Sequence, residues 1–135
     1  MDSRIYVAGD AGLIGSALVR LLRARGCTNI VTRTRAELDL ANTRSTDHFF
    51  EEQKPEYVLL AAGSVGGIVA NRDRPADFLS SNLAIELNVI NAAHRAGVRR
   101  LILFASSCMY PRETAQPMPE SALFSGQPEP TSMGY

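Results

Sequence analysis

The amino-acid sequence predicts an α/β fold built on a doubly wound parallel sheet, and three observations carry that expectation. Short apolar runs alternate along the chain with longer stretches of helical period. The first run, Arg4–Ala8, leads into a glycine-rich turn, Gly9–Gly15, that opens directly into a helical pattern. Two later runs, Tyr57–Ala61 and Leu101–Ala105, match strands buried on both faces of a sheet.

Each element has its own justification. Arg4–Ala8 is the first strand, and Leu13–Arg25 is a helix with Leu18, Leu21 and Leu22 on one face, closed by Gly26. Ile30–Thr32 is the second strand, and a short extended piece near Leu38–Leu40 follows as the third. A helix from about Arg44 to Gln53 then leads, past the punctuation of Pro55, into the Tyr57–Ala61 strand. A long helix from about Pro75 to Ala96 carries Phe78, Leu79, Leu83, Leu87, Ile90 and Ala93 at helical spacing; Pro75 suits a first turn and Gly97 a stop. Leu101–Ala105 is the next strand. Right-handed crossovers and the usual doubly wound arrangement order these strands 3-2-1-4-5, with Leu101–Ala105 as a bare outer edge. From Met109 onward Pro111, Pro117, Pro119, Pro128 and Pro130 interrupt any periodicity. Residues 1–108 are therefore expected as a dinucleotide-binding half, and 109–135 as a proline-rich loop of the functional kind.

Composition narrows the function classes. The 135 residues make about one domain, 45% of them are apolar and the formal net charge is zero. That balance points away from disorder, nucleic acid and anionic membranes, and toward a small-molecule partner. No run approaches the roughly 18 uncharged apolar residues of a membrane span, and the N-terminus opens into the first strand without a secretory pattern. A cytoplasmic protein is expected. Cys27 and Cys108 allow one bridge at most and share no metal-type spacing with His48 or His94, so no metal site is expected and both thiols are read as reduced.

Gly9-Asp10-Ala11-Gly12-Leu13-Ile14-Gly15 sits between a strand and a helix, the context that makes a GxxGxxG spacing a phosphate-binding fingerprint of the Rossmann type. Gly9 permits the tight turn, Gly12 lets backbone N–H groups approach a pyrophosphate, and Gly15 allows close packing of helix on strand. Leu13 and Ile14 supply first-turn N–H groups to the same site. After the second strand, where an NAD site places a carboxylate, the sequence reads Thr32-Arg33-Thr34-Arg35. Two guanidinium groups suit a 2′-phosphate, which favours NADP(H). Ala61, Ala62 and Gly63 are small enough for a dinucleotide to lie against the backbone, and Leu40 is grouped with these cofactor-facing positions.

Ligands of open α/β sheets lie beyond the carboxyl ends of the strands, which draws attention to Ser106, Ser107 and Cys108. A serine hydroxyl there can hydrogen-bond a substrate carbonyl, or simply cap a turn. Cys108 can move protons, or be a small buried hydrophobe, as most free cysteines are. Cys27, at a helix exit, is read as inert.

The segments Val65-Gly66-Gly67-Ile68-Val69-Ala70-Asn71, Pro75-Ala76-Asp77-Phe78 and Ser106-Ser107-Cys108-Met109-Tyr110-Pro111 closely resemble the GDP-L-fucose synthase family, within the extended short-chain dehydrogenase/reductases. The resemblance continues through Arg33-Thr34-Arg35-Ala36-Glu37-Leu38, Gln116-Pro117-Met118 and Glu129-Pro130-Thr131, and reaches Tyr135. It implies an NADPH-dependent enzyme that epimerises GDP-4-keto-6-deoxy-D-mannose at two carbons and then reduces its 4-keto group. On that resemblance Ser106 polarises the keto oxygen, Tyr135 donates a proton during hydride transfer, and Cys108 is the epimerisation base. It also implies a homodimer through the helix near 75–96. Free Cys and Tyr side chains titrate above neutral pH, so both roles call for an activating neighbour.

The family's activating lysine, four residues after the tyrosine, and the histidine that partners its cysteine have no counterpart here. Neither His48 nor His94 matches that histidine. An N-terminal piece, without turnover by itself, is expected. Asp10-Ala11 stands where the family commonly carries a basic residue, and Ser64 where it often has lysine. Two other readings stay open: an NAD-dependent nucleotide-sugar epimerase or dehydratase, and a non-catalytic nucleotide-binding module. Arg33, Arg35 and the pairing of Ser106 with Cys108 weigh against the first of these.

Overall fold

The computed structural model describes residues 2–132. Four strands, β1 (Ile5–Ala8), β2 (Ile30–Arg33), β3 (Tyr57–Leu60) and β4 (Arg100–Leu103), form one parallel sheet in the order β2-β1-β3-β4. The helices are α1 (Leu13–Ala24), α2 (Thr43–Gln53), α3 (Ile68–Asp73) and α4 (Pro75–Arg95). At least one helix intervenes between each pair of successive strands, as parallel pairing requires.

The two-residue period of the strands sorts their side chains onto two faces. Ile5 and Val7 of β1 lie with Tyr57 and Leu59 of β3, packed with Leu18, Val19 and Leu22 of α1 and with Cys27. Tyr6 and Ala8 lie with Val58 and Leu60, packed with Phe49 and Phe50 of α2 and with Val89, Ala92 and Ala93 of α4. Helices thus cover both faces of the sheet at β1 and β3, the doubly wound arrangement. β4, expected to be buried on both faces, instead lies at the sheet edge with Ile102 and Leu103 exposed and only Leu101 packed on the core. The Tyr6 and Phe49 rings stand 4.5 Å apart between centroids, and burial, with Asp10 nearby, holds the Tyr6 phenol far above its usual range.

Several expectations change against this architecture. Leu38–Leu40 is not a strand, so the sheet has four members where five were expected, and the remaining order agrees. Both leucines are buried, but a turn buries them: the Glu37 and Leu38 N–H groups donate to the Thr34 carbonyl, and Asp39 Oδ1 accepts from Ala41 N at 3.1 Å. Backbone groups satisfied locally have no need of a ladder along β2. In α1 the sheet-facing row is Gly15, Leu18, Val19 and Leu22, and Leu21 is exposed. In α4 it is Ile85, Val89, Ala92 and Ala93 that meet the sheet, whereas Leu83, Leu87 and Ile90 form an exposed apolar row. α3 was not foreseen.

The chain divides into two compact units, the first containing the sheet, α1, α2 and α4 from Ser81 onward. The second takes residues 64–80 and the segment from 105 onward, with short 3-10 turns at Ser107–Met109, Glu120–Ala122 and Pro130–Ser132. Within it α3 packs on the Pro130–Ser132 turn. A Cβ on Gly66 would stand 2.7 Å from Phe78 Cζ and 3.0 Å from Ala70 Cβ, so this glycine gives the helix pair its close approach.

Candidate functional site

In the first unit the glycine turn is shaped by steric necessity. Gly9 has φ +81°, and a Cβ there would lie 2.7 Å from both Ala61 O and Ala62 N. A Cβ on Gly15 would lie 2.1 Å from Gly9 O and 2.9 Å from Asp10 Cα. Both clashes are with backbone, which cannot swing aside as a side chain can. Gly12 caps α1 without a side-chain hydrogen bond, and no acidic residue occupies the first turn. The first-turn N–H groups, Leu13 and Ile14 among them, therefore keep their donor capacity beside the positive end of the helix dipole. Leu13 is 90% exposed. A glycine-lined helix N-terminus with free N–H donors of this kind suits a pyrophosphate.

The end of β3 closes against the same turn: Ala61 N donates to Ala8 O at 3.0 Å, and Ala61 and Ala62 are partly buried. Gly63 is exposed, and a Cβ there would meet only Asn82 Oδ1, at 3.4 Å. Leu40 contributes its side chain to the core, and its carbonyl accepts from Thr46 Oγ1 and from Asn88 Nδ2 at 2.9 Å.

The two arginines at the end of β2 and just beyond it differ. Arg33 donates from Nη1 to Thr32 O at 2.7 Å and lays its guanidinium over the Phe49 ring, 5.7 Å from the centroid. That stacking contributes about 0.5–1 kcal/mol and fixes the side chain in place. Arg35 is exposed and makes no hydrogen bond or ion pair among the described residues. Two residues after Arg35, the Glu37 carboxylate accepts from both the backbone N and the hydroxyl of Thr34, at 2.7 and 2.8 Å. Those hydrogen bonds, first the one from the backbone N–H, hold the Glu37 carboxyl below its ordinary range. The pair went unremarked in the sequence, although Thr-x-x-Glu is the spacing of a capping box.

The second unit holds the chemistry-bearing residues. Ser106 precedes the Ser107–Met109 turn, and its Oγ accepts from Cys108 N at 3.1 Å. A hydroxyl has two lone pairs and one proton, so capping this turn leaves the O–H free to donate. The two readings of Ser106 are compatible. Cys108 is exposed and Cys27 is buried; both are free thiols. The buried-hydrophobe reading therefore applies to Cys27 and not to Cys108. Tyr135 lies outside the described residues. His48 and His94 are exposed on α2 and α4.

Residues 5–135 match the NAD dependent epimerase/dehydratase family. The chain belongs to that family. Among its relatives, the GDP-L-fucose synthase 1 of Arabidopsis thaliana is 50% identical over 134 residues, which is 99% of this chain and 42% of the plant protein. The GDP-L-fucose synthase of Escherichia coli is 47% identical over 132 residues, 98% of this chain and 41% of that protein. Among solved structures, MlghC, the GDP-mannoheptose C4 reductase of Campylobacter jejuni with NADP bound, superposes with a TM-score of 0.91 at 44% identity, over 98% of this chain and 43% of that one. This family member thus spans about two fifths of the length of the curated relatives it matches.

Proposed function

We propose that this chain is the NADP(H)-binding part of an enzyme that converts GDP-4-keto-6-deoxy-D-mannose to GDP-L-fucose by epimerisation at two carbons and reduction of the 4-keto group. The observation that carries the reading is the turn in which Ser106 holds Cys108 N–H while Cys108 presents an exposed thiol. Epimerisation beside a ketone needs a base for the carbon-bound proton and a donor on the ketone oxygen, and this turn supplies a candidate for each. The similarity to GDP-L-fucose synthases supports the substrate.

The glycine turn and Arg33 and Arg35 are the residues that would hold the dinucleotide, with Leu13, Ile14, Leu40, Ala61, Ala62 and Gly63 around it. The cofactor supplies the hydride. Ser106 donates its O–H to the 4-keto oxygen, in the enolate of the epimerisation as in the reduction, and Tyr135 gives that oxygen its proton when the hydride arrives. The experiment that tests the reading is product analysis. Protein carrying this chain, supplied with the 4-keto sugar nucleotide and NADPH, yields the doubly epimerised and reduced sugar; a product reduced without epimerisation, or none, refutes it.

Cofactor choice has its own test. Binding of NADPH is expected to exceed that of NADH by calorimetry, and Arg35→Ala to lower NADPH affinity by about tenfold with NADH unchanged, as removal of one charge-assisted bond to phosphate would do. Equal affinities in the unaltered protein would instead favour an NAD-dependent epimerase or dehydratase.

A homodimer through α4 belongs to the same proposal. Leu83, Leu87 and Ile90 are 47%, 57% and 44% exposed and lie on one helical face. Such an apolar row suits a second copy of the same helix. Leu87→Glu should shift the sedimentation coefficient from dimer to monomer; a wild-type monomer sinks the idea. A cytoplasmic location fits two free thiols.

A further inference from the structure

The turn after β2 holds a carboxylate close to where the cofactor reading puts a phosphate, and that arrangement needs an explanation. A free glutamate there repels a 2′-phosphate and can accept from a ribose diol, the chemistry of NAD selection. Glu37 is not free. One of its oxygens takes both donors of Thr34, the N–H at 2.7 Å and the hydroxyl at 2.8 Å. In return the Thr34 carbonyl accepts the N–H groups of Glu37 at 3.1 Å and Leu38 at 3.0 Å. Arg35 therefore sits in a turn closed from both sides, although its own side chain is exposed and makes no hydrogen bond or ion pair among the described residues. Arg33 is held separately from this turn, by Phe49 and the Thr32 carbonyl.

Resting on the NADP(H) reading above, we propose that the Thr34–Glu37 pair is a specificity lock. It fixes the turn that presents Arg35 to a 2′-phosphate, and it ties the Glu37 carboxylate to Thr34 through one of its oxygens. Glu37 is on this view a positioning residue that acts through Thr34 and Arg35. The carboxylate remains ionised under conditions where an ordinary glutamate begins to take up a proton, because the two Thr34 bonds favour its charged form.

The test compares 2′,5′-ADP with 5′-AMP, ligands that differ by the 2′-phosphate alone, by calorimetry on the purified protein. The unaltered protein is expected to prefer 2′,5′-ADP. Glu37→Ala should reduce that preference by about tenfold, the effect of one charge-assisted hydrogen bond, and should do so through 2′,5′-ADP affinity alone. Glu37→Gln keeps an acceptor oxygen for both Thr34 donors, and should retain the preference within about twofold. Thr34→Val removes the hydroxyl, leaves the N–H, and should move selectivity in the direction of Glu37→Ala by less. A role in folding alone weakens both ligands together, and that result overturns the lock. So does an unchanged preference in Glu37→Ala, or a drop in Glu37→Gln as large as in Glu37→Ala. If the unaltered protein shows no preference at all, the cofactor reading fails and takes the lock with it.

Discussion

Gly15→Ala is expected to lower the melting temperature by roughly 10 °C and to weaken dinucleotide binding by about a hundredfold or more, for one methyl group. The added Cβ would stand 2.1 Å from Gly9 O, 2.6 Å from Gly9 C and 2.9 Å from Asp10 Cα. None of these atoms belongs to a flexible side chain, so α1 must move away from the end of β1 or the Gly9 turn must open. Inserting a methyl into packed backbone costs about 3 kcal/mol when nothing can yield. Either movement also displaces the first-turn N–H groups, which is why binding suffers beyond stability.

Gly26→Ala is the control. Gly26 has φ +78°, and nothing lies within 4 Å of a Cβ built there. Its cost is therefore the left-handed backbone alone, about 1 kcal/mol, with cofactor affinity unchanged. Differential scanning calorimetry and NADPH titration on both variants separate crowding from backbone strain. A Gly15→Ala protein that melts with Gly26→Ala and binds normally would show that the turn is slack.

The same distinction between local and non-local constraint explains what the sequence could tell. The glycine turn was legible because strand, turn and helix are consecutive and because the residue type itself records the missing space at Gly9 and Gly15. The faces of the inner strands were legible in outline, since the Tyr57–Leu60 run leaves little choice but burial, whereas the equally apolar Leu101–Leu103 run lies at the sheet edge with Ile102 and Leu103 exposed. Leu38–Leu40 misled for a physical reason: two leucines around an exposed Asp39 have the period of a strand, and a turn tied by Thr34, Glu37 and Asp39 buries the same two side chains. α3 was hidden because a helix of only six residues offers too short a pattern to recognise. In α4 the leucines drew the eye to the exposed row, whereas the sheet is met by the smaller Val89, Ala92 and Ala93. The coupling of Ser106 to Cys108 needed coordinates, because the residue pattern alone could not say which of a cap and a hydroxyl donor Ser106 would be.

Cys108→Ser is expected to abolish epimerisation, by about a thousandfold as befits removal of a general base, and to leave ketone reduction within about tenfold. In the proposed step the thiolate sulfur takes the proton from the carbon beside the 4-keto group. The C–H electron pair moves into the ring and onto the ketone oxygen, which accepts the Ser106 O–H. Inversion is completed when the pair returns to the carbon, which takes a solvent-exchangeable proton on the opposite face. A serine at 108 keeps the backbone N–H that Ser106 caps, so the turn survives while its base is too weakly acidic to ionise at neutral pH. The observable is deuterium entering the two carbons from solvent deuterium oxide in protein carrying this chain, followed by mass spectrometry with NADPH omitted. The serine variant should incorporate none on the timescale of the unaltered protein, and with NADPH present it should release a reduced, unepimerised sugar. Ser106→Ala should differ in kind, slowing exchange and reduction together, because both pass through the same oxygen. Wild-type deuterium incorporation in Cys108→Ser would remove the thiol from the reaction and, with it, the observation on which the epimerase reading stands.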